Sequence, residues 1–99
     1  MGLAFEWHTV KAEANFQAHG VSFELAQTAF KDPFAIELLD DREDYREERL
    51  VLIGMAEGHV LLFVAYTERE DRIRIISARR ATKREQDHYF KQNTQTHDL

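Results

Sequence analysis

Residues 60–65, Val-Leu-Leu-Phe-Val-Ala, form an apolar run with no polar face. A strand that is apolar on both sides needs cover on both sides, so it belongs in the middle of a sheet beneath helices or a partner. The stretch Arg49 to Ala56 carries a second strong strand signal, and only Glu57-Gly58 separates it from His59 to Thr67. Glycine adopts positive φ at little cost, so the connection reads as a tight two-residue hairpin. A charged loop, Glu68 to Arg72, leads into a further strand. There, alternation sets Ile73, Ile75, Ser77 and Arg79 on one face and Arg74, Ile76, Ala78 and Arg80 on the other. Successive hairpins of this kind make an antiparallel meander.

Helical signals flank the meander. Leu3 to Trp7 alternates as a short strand; Thr9 then caps a helix to about Ala18, with Val10, Ala14 and Phe16 as its apolar side and His19-Gly20 as its stop. Ser22 is the N-cap of a second helix, with Glu24 in the first turn and Phe23, Ala26 and Phe30 at near-helical spacing. Asp32-Pro33 ends it, because the residue before proline is pushed out of the helical region. Phe34 to Leu39 reads as a strand, and the acidic stretch Asp40 to Glu48 as helix or loop. Thr82-Lys83-Arg84-Glu85 is a capping box opening a last helix that Tyr89 and Phe90 can pack, and the polar tail 93–99 is expected to be flexible. The reading is a single α+β domain over residues 1–99: an antiparallel sheet with N-terminal helices and a C-terminal helix packed on it.

A chain of 99 residues can build one core without staples, and it has no cysteine with which to make any. Its 43% hydrophobic content is too high for a disordered chain, and no 18-residue apolar run offers a membrane span. Met1 to Trp7 lacks the basic start and apolar stretch of a signal peptide, so a cytoplasmic location away from membranes is expected. The net charge of −5 is unevenly spread: residues 1–71 are net −9 and residues 72–99 net +4. The average hides a basic third that suits an anionic ligand and an acidic remainder that suits a basic partner; the alternative is two differently solvated faces with no charged partner.

Several chemistries lack their residues. The five histidines, His8, His19, His59, His88 and His97, never pair at i, i+3 or i, i+4, and the acids from Asp40 to Glu48 lack EF-hand spacing, so neither metal nor cofactor is expected. Nucleophile-elbow, P-loop and dinucleotide motifs are missing, with only 4 glycines available. What remains is an arginine set: Arg49, Arg69, Arg72, Arg74, Arg79 and Arg80, with Lys83 and Arg84 following. Adjacent antiparallel strands bring such guanidiniums together, and guanidinium binds phosphate bidentately. The alternative is that each pairs with neighbouring acids at the surface; Arg79, in an otherwise apolar strand, fits that alternative least.

An ordered series of short motifs runs from residue 5 to residue 89. It comprises Phe5-Glu6-Trp7, Lys11, Asn15, His19-Gly20-Val21-Ser22-Phe23, Glu47-Glu48-Arg49, Ile53-Gly54, Tyr66-Thr67-x-Arg69, Arg74-Ile75-Ile76-Ser77-Ala78-Arg79 and Arg84-Glu85-x-x-x-Tyr89. The series resembles the BrnT family of toxins. That resemblance implies a fold similar to the RelE ribonuclease toxins and membership of a type II toxin–antitoxin pair. The partner it implies is a BrnA-like antitoxin with a ribbon–helix–helix domain. The activity it implies is RNA cleavage that inhibits translation, with operator DNA bound only through the antitoxin complex. The chain departs from the family pattern at His8, where an aspartate is usual, and at Ala18, where a basic residue commonly precedes His-Gly.

A metal-free ribonuclease needs a base for the 2′-hydroxyl, charge to stabilise the phosphorane, and a proton for the leaving 5′ oxygen. On this expectation Arg79 and Arg69 stabilise charge and Arg49 is a second clamp, while Glu48 or His19 is the base and Tyr66 orients base or phosphate. Arg74, Arg80, Lys83 and Arg84 track the RNA backbone, and Glu85 is assigned to capping. An antitoxin covering this basic region would displace RNA. Two other readings use the same residues: a non-catalytic RNA- or protein-binding module, which binds without cleaving, and a structural interaction domain, which shows no salt-dependent RNA binding.

Overall fold

In the computed structural model, which describes residues 3–42 and 47–96, the apolar run lies inside a five-stranded sheet of order β1-β5-β4-β3-β2. The elements are β1 (Ala4–Glu6), α1 (Thr9–His19), α2 (Phe23–Thr28) continued by a 3-10 turn (Ala29–Lys31), β2 (Ile36–Leu39), β3 (Leu50–Ala56), β4 (Val60–Arg69), β5 (Arg72–Arg80) and α3 (Lys83–Thr96). Strands β2 to β5 form the antiparallel meander, and β1 adds to β5 in parallel, Ala4 opposite Arg72 through Glu6 opposite Arg74. Of the acidic stretch Asp40 to Glu48, residues 43–46 lie outside the described residues; Asp40, nearly buried, binds Arg42 through both carboxylate oxygens at 2.7 and 2.8 Å. Helix α3 runs to Thr96, carrying 93–96 of the expected flexible tail as helix, with Asn93 Nδ2 donating to Phe34 O at 3.2 Å.

The strand apolar on both sides is covered on both sides. On one face, Leu62, Val64 and Tyr66 of β4 meet Phe23, Ala26 and Ala29 of the α2 segment in the larger cluster, with Ile73, Ile75 and Ala78 of β5. Edge-to-face ring contacts run through it, Phe5 to Phe30 at 5.1 Å and Phe30 to Tyr66 at 5.0 Å. On the other face, Val51 and Ile53 pack with Tyr89 of α3 and with Phe63. Asp32 ties these layers together: its Oδ2 accepts from Met55 N at 2.8 Å and from the Tyr89 hydroxyl at 2.6 Å. Gly54 is required by close approach, since a Cβ there would stand 2.8 Å from the Ala29 carbonyl oxygen.

Four local expectations need correcting. The first hairpin turns on three residues, with Ala56 opposite Val60 and positive φ at both Gly58 and His59. Its histidine belongs to the turn, leaving β4 to start at Val60. Helix α1 is capped by His8, whose Nδ1 accepts from Lys11 N at 3.4 Å, instead of by Thr9. The helix is also turned away from its expected orientation. Val10 is 71% exposed and Phe16 51%, while Asn15 is buried. Asn15 Nδ2 donates to Val21 O at 3.0 Å and Ala78 O at 2.9 Å, and its Oδ1 accepts from Ala78 N at 3.1 Å. Beyond the short β1, this one amide takes the place of a neighbouring strand along the edge of β5.

The fourth correction concerns the site. Tyr66 pairs with Ile75 but Ala65 with Ser77, so Ile76 is an extra residue on β5, a bulge. It shifts the alternation by one: Ile73 and Ile75 face the helical core before it, and Ala78 does so after it. Arg79 therefore lies opposite Phe63, on the face it shares with Arg74, and away from Ile73 and Ile75.

Candidate functional site

On the face away from α1 and α2, helix α3 covers the end of the sheet where Tyr89 packs. Among the described residues, no helix covers the other end. There β3 starts, β4 ends and β5 begins, so strand geometry alone brings their arginines into one place. Arg49, Arg69 and Arg74 line a depression of about 180 Å³ whose floor includes buried Thr67 and the Ile75-Ile76 bulge. Its rim at the sheet edge is the start of α1, through His8 and Lys11, and on the loop side Glu47. Among the described residues the lining holds four permanent or near-permanent cations against one carboxylate, and the N-terminal end of α1 adds partial positive charge. Such a surface attracts an anion, and the planar guanidiniums suit phosphate.

The arginines are held by acids at the margin. Arg74 donates to Glu6 Oε2 at 2.9 Å and Arg72 to Glu6 Oε1 at 3.3 Å; Arg69 lies 3.5 Å from Glu47 Oε1. The hydrogen bond from Arg74 is the main reason that the Glu6 carboxyl stays below its ordinary range. The Arg69–Glu47 contact is long and more than a third exposed on both sides, the kind of pair that contributes little to stability and yields easily to a ligand.

The sequence-derived candidates divide in space. Arg49, Arg69 and Arg74 are brought together, and Glu47, His8 and Lys11 join them although none was assigned a role there. Glu47 was passed over for its neighbour Glu48, and nothing in the spacing of two adjacent acids distinguishes them. His8 was noted only as a departure from the family pattern and Lys11 only as one of the ordered motif residues.

Arg79 is elsewhere, five residues along β5 from Arg74 and roughly 15 Å away at strand spacing. Its guanidinium lies 4.0 Å from the Phe63 ring centroid and donates to both oxygens of Glu85, at 2.8 and 2.9 Å. Glu85 Oε1 also accepts from Thr82 N at 2.8 Å, and Glu85 N donates to Thr82 Oγ1, so the capping assignment holds and the cap doubles as a latch between α3 and β5. Partial burial pushes the Glu85 carboxyl up, but Arg79 and Thr82 outweigh it and leave it below its ordinary range.

Tyr66 points into the helical core on the opposite face, 1% exposed, with its hydroxyl donating to Glu37. Burial, then the Glu37 carboxylate, raises its phenol well above the usual tyrosine range. It cannot reach a phosphate in the depression. His19 is the exposed last residue of α1, where the helix dipole favours a basic side chain, and Glu48 is exposed outside the depression. Arg80 borders a separate shallow cavity with His59 and Phe90, Lys83 pairs with Asp87 at 2.7 Å, and Arg84 is exposed.

The fold and the depression together define a small α+β protein with an arginine-lined depression beside a capped helix. Residues 7–85 match the family model described as "Ribonuclease toxin, BrnT, of type II toxin-antitoxin system", and the chain belongs to that family. The fold is similar to that in a 1.1 Å crystal structure of the Brucella abortus ribonuclease toxin BrnT. The TM-score is 0.63 at 20% identity, over 83% of this chain and 100% of that one. No curated protein matches the sequence. Among the described residues, no helix is long and apolar enough to cross a membrane.

Proposed function

We propose that this chain is a metal-independent endoribonuclease toxin whose RNA cleavage inhibits translation, acting from the open depression on the sheet. The observation that carries this reading is the convergence of Arg49, Arg69 and Arg74 with Lys11 and one carboxylate, Glu47, at a single open site. The scissile phosphate lies across the guanidiniums of Arg69 and Arg74, with Arg49 as the second clamp. Glu47, released from its long contact with Arg69, takes the 2′-hydroxyl proton. As the 2′ oxygen attacks phosphorus, the guanidiniums offset the charge on the phosphorane; the phosphorus–5′-oxygen bond then breaks, and the 5′ oxygen takes a proton from Lys11 or solvent. This reading prefers Glu47 to Glu48 or His19 as the base and gives Tyr66 a packing role. Arg79 acts by holding α3 in place. Arg80, Lys83 and Arg84 track the RNA backbone beyond the site.

The antitoxin of the type II pair is, on this reading, a BrnA-like ribbon–helix–helix protein that covers the depression and carries the complex to operator DNA. The test is incubation of the purified chain with a defined RNA in excess EDTA. Cleavage leaving 2′,3′-cyclic phosphate ends supports the proposal. Salt-dependent binding without cleavage would instead make the depression a binding site alone.

A further inference from the structure

Helix α1 is fixed to the sheet by an amide, and its large apolar residues are left outside. Phe16 and Val10 are exposed, and between α1 and the start of α2 runs a groove of about 440 Å³. Its accessible apolar surface comes from Trp7, Ala12 and Phe16, and Trp7 is backed edge-on at 5.9 Å by the fully buried Phe23. Its charged lining residues are Glu13 and Glu24, and among the described residues no lysine, arginine or histidine lines it. Neither carboxylate forms an ion pair among the described residues. The acids repel RNA and anionic membrane surfaces, and an apolar floor of this size fits two or three large side chains from one face of a helix.

We propose that this groove is a docking site for a basic amphipathic helix of the antitoxin, with apolar side chains on Phe16 and Trp7 and flanking Lys or Arg side chains on Glu13 and Glu24. The identity of the partner rests on the toxin–antitoxin reading above; the chemistry of the groove does not. The position matters for inhibition. The first turn of α1 divides the groove from the arginine depression, with Thr9 lining the former and His8 and Lys11 the latter. A partner anchored in the groove is therefore about one helix width from the arginines and can extend an acidic segment over them. The surface is bipolar, an acidic groove beside a basic depression, and its complement carries the opposite charges in the same order.

Trp7 is the sole tryptophan of the chain, so intrinsic fluorescence reports on the groove. The probes are two synthetic helical peptides of ~15 residues with the same leucine stripe, one flanked by lysines and the other by glutamates. The lysine peptide is expected to shift Trp7 emission saturably, and the glutamate peptide to leave it unchanged. Glu13→Lys with Glu24→Lys, or Phe16→Ser, should weaken the lysine peptide about tenfold or more, with circular dichroism confirming the fold. The proposal is overturned if the lysine peptide fails to shift Trp7, if both peptides bind alike, or if dilution of the chain alone produces the shift, since a second copy then fills the groove. RNA cleavage is measured in parallel on the same samples. Peptide binding without cleavage removes the ribonuclease reading and leaves the groove as a docking site, whereas cleavage without peptide binding removes only the docking site.

Discussion

Replacing Asn15 by alanine removes three hydrogen bonds at once and leaves the Ala78 N–H, the Ala78 carbonyl and the Val21 carbonyl without their partner. A buried group stranded in this way costs about 1–3 kcal/mol, the N–H most and each carbonyl less, so the loss is about 3 kcal/mol. A domain of this length is stable by only about 5–15 kcal/mol, so that is a large fraction. In urea unfolding followed by circular dichroism, an m of about 1.5 kcal/mol/M turns it into a midpoint about 2 M lower. The thermal midpoint should fall by roughly 15 °C. Phe16→Ala is the matched comparison, because that ring is half exposed and alanine is the better helix former, so its cost stays within about 1 kcal/mol. A small helix packed in the ordinary way would lose more from its phenylalanine than from its asparagine. If Asn15→Ala and Phe16→Ala shift the midpoint equally, the amide is not the fastening of α1 and the reasoning fails.

Other outcomes follow from packing and titration. Gly54→Ala forces a Cβ against the Ala29 carbonyl oxygen at 2.8 Å and against side chains at 3.2 Å, so it should destabilise by about 1–3 kcal/mol, read as a lower urea midpoint. Glu85 has a depressed carboxyl in the folded state. Its contribution is therefore present above the unfolded value of about 4.3 and lost as pH falls below it. Glu85→Gln should flatten the acid limb of a stability–pH curve and speed amide exchange in the first turns of α3. Tyr66 and Tyr89 have raised phenols, so their contribution is full below about pH 10 and declines as pH rises beyond it. Tyr66→Phe should reduce that alkaline loss while costing about 1 kcal/mol at neutral pH, since Glu37 can be hydrated once its donor is gone.

Where local chemistry decides the outcome, the sequence was legible. Ser22 accepts from Leu25 N at 3.0 Å as a cap, Gly20 ends α1 at φ 70, and Thr82 and Glu85 form their box, because each is settled within four residues. The meander was legible for the same reason, two hairpins being short-range objects. What was not legible depends on register. The bulge at Ile76 shifts the alternation of β5 by one, and no residue in Ile75-Ile76-Ser77 announces it; it alone moves Arg79 to the opposite face from the one expected. Tyr66 looked functional because a phenol beside Thr67 and Arg69 is chemically plausible, but strand alternation sends it to the other face from Arg69. Helix α1 was misoriented because apolar residues were assumed to face inward, whereas the gap left along β5 beyond β1 demands hydrogen bonds and is filled by Asn15. The arginine depression was half legible: its arginines were identified but Lys11 and Glu47 were not, and the partition of the basic residues between the two ends of the sheet came from β3, β4 and β5 being set side by side.

On the proposed mechanism, phosphate chemistry occurs at the open depression and not at the α3 latch. Single-turnover cleavage of one defined RNA in EDTA, compared for Arg69→Ala, Arg74→Ala and Arg79→Ala after each is confirmed folded, tests it directly. Rates should be about 10²–10³-fold lower for Arg69→Ala and Arg74→Ala. Folded Arg79→Ala should retain most of its cleavage and lose stability instead. Full cleavage by Arg69→Ala and Arg74→Ala, with loss only in folded Arg79→Ala, would contradict it.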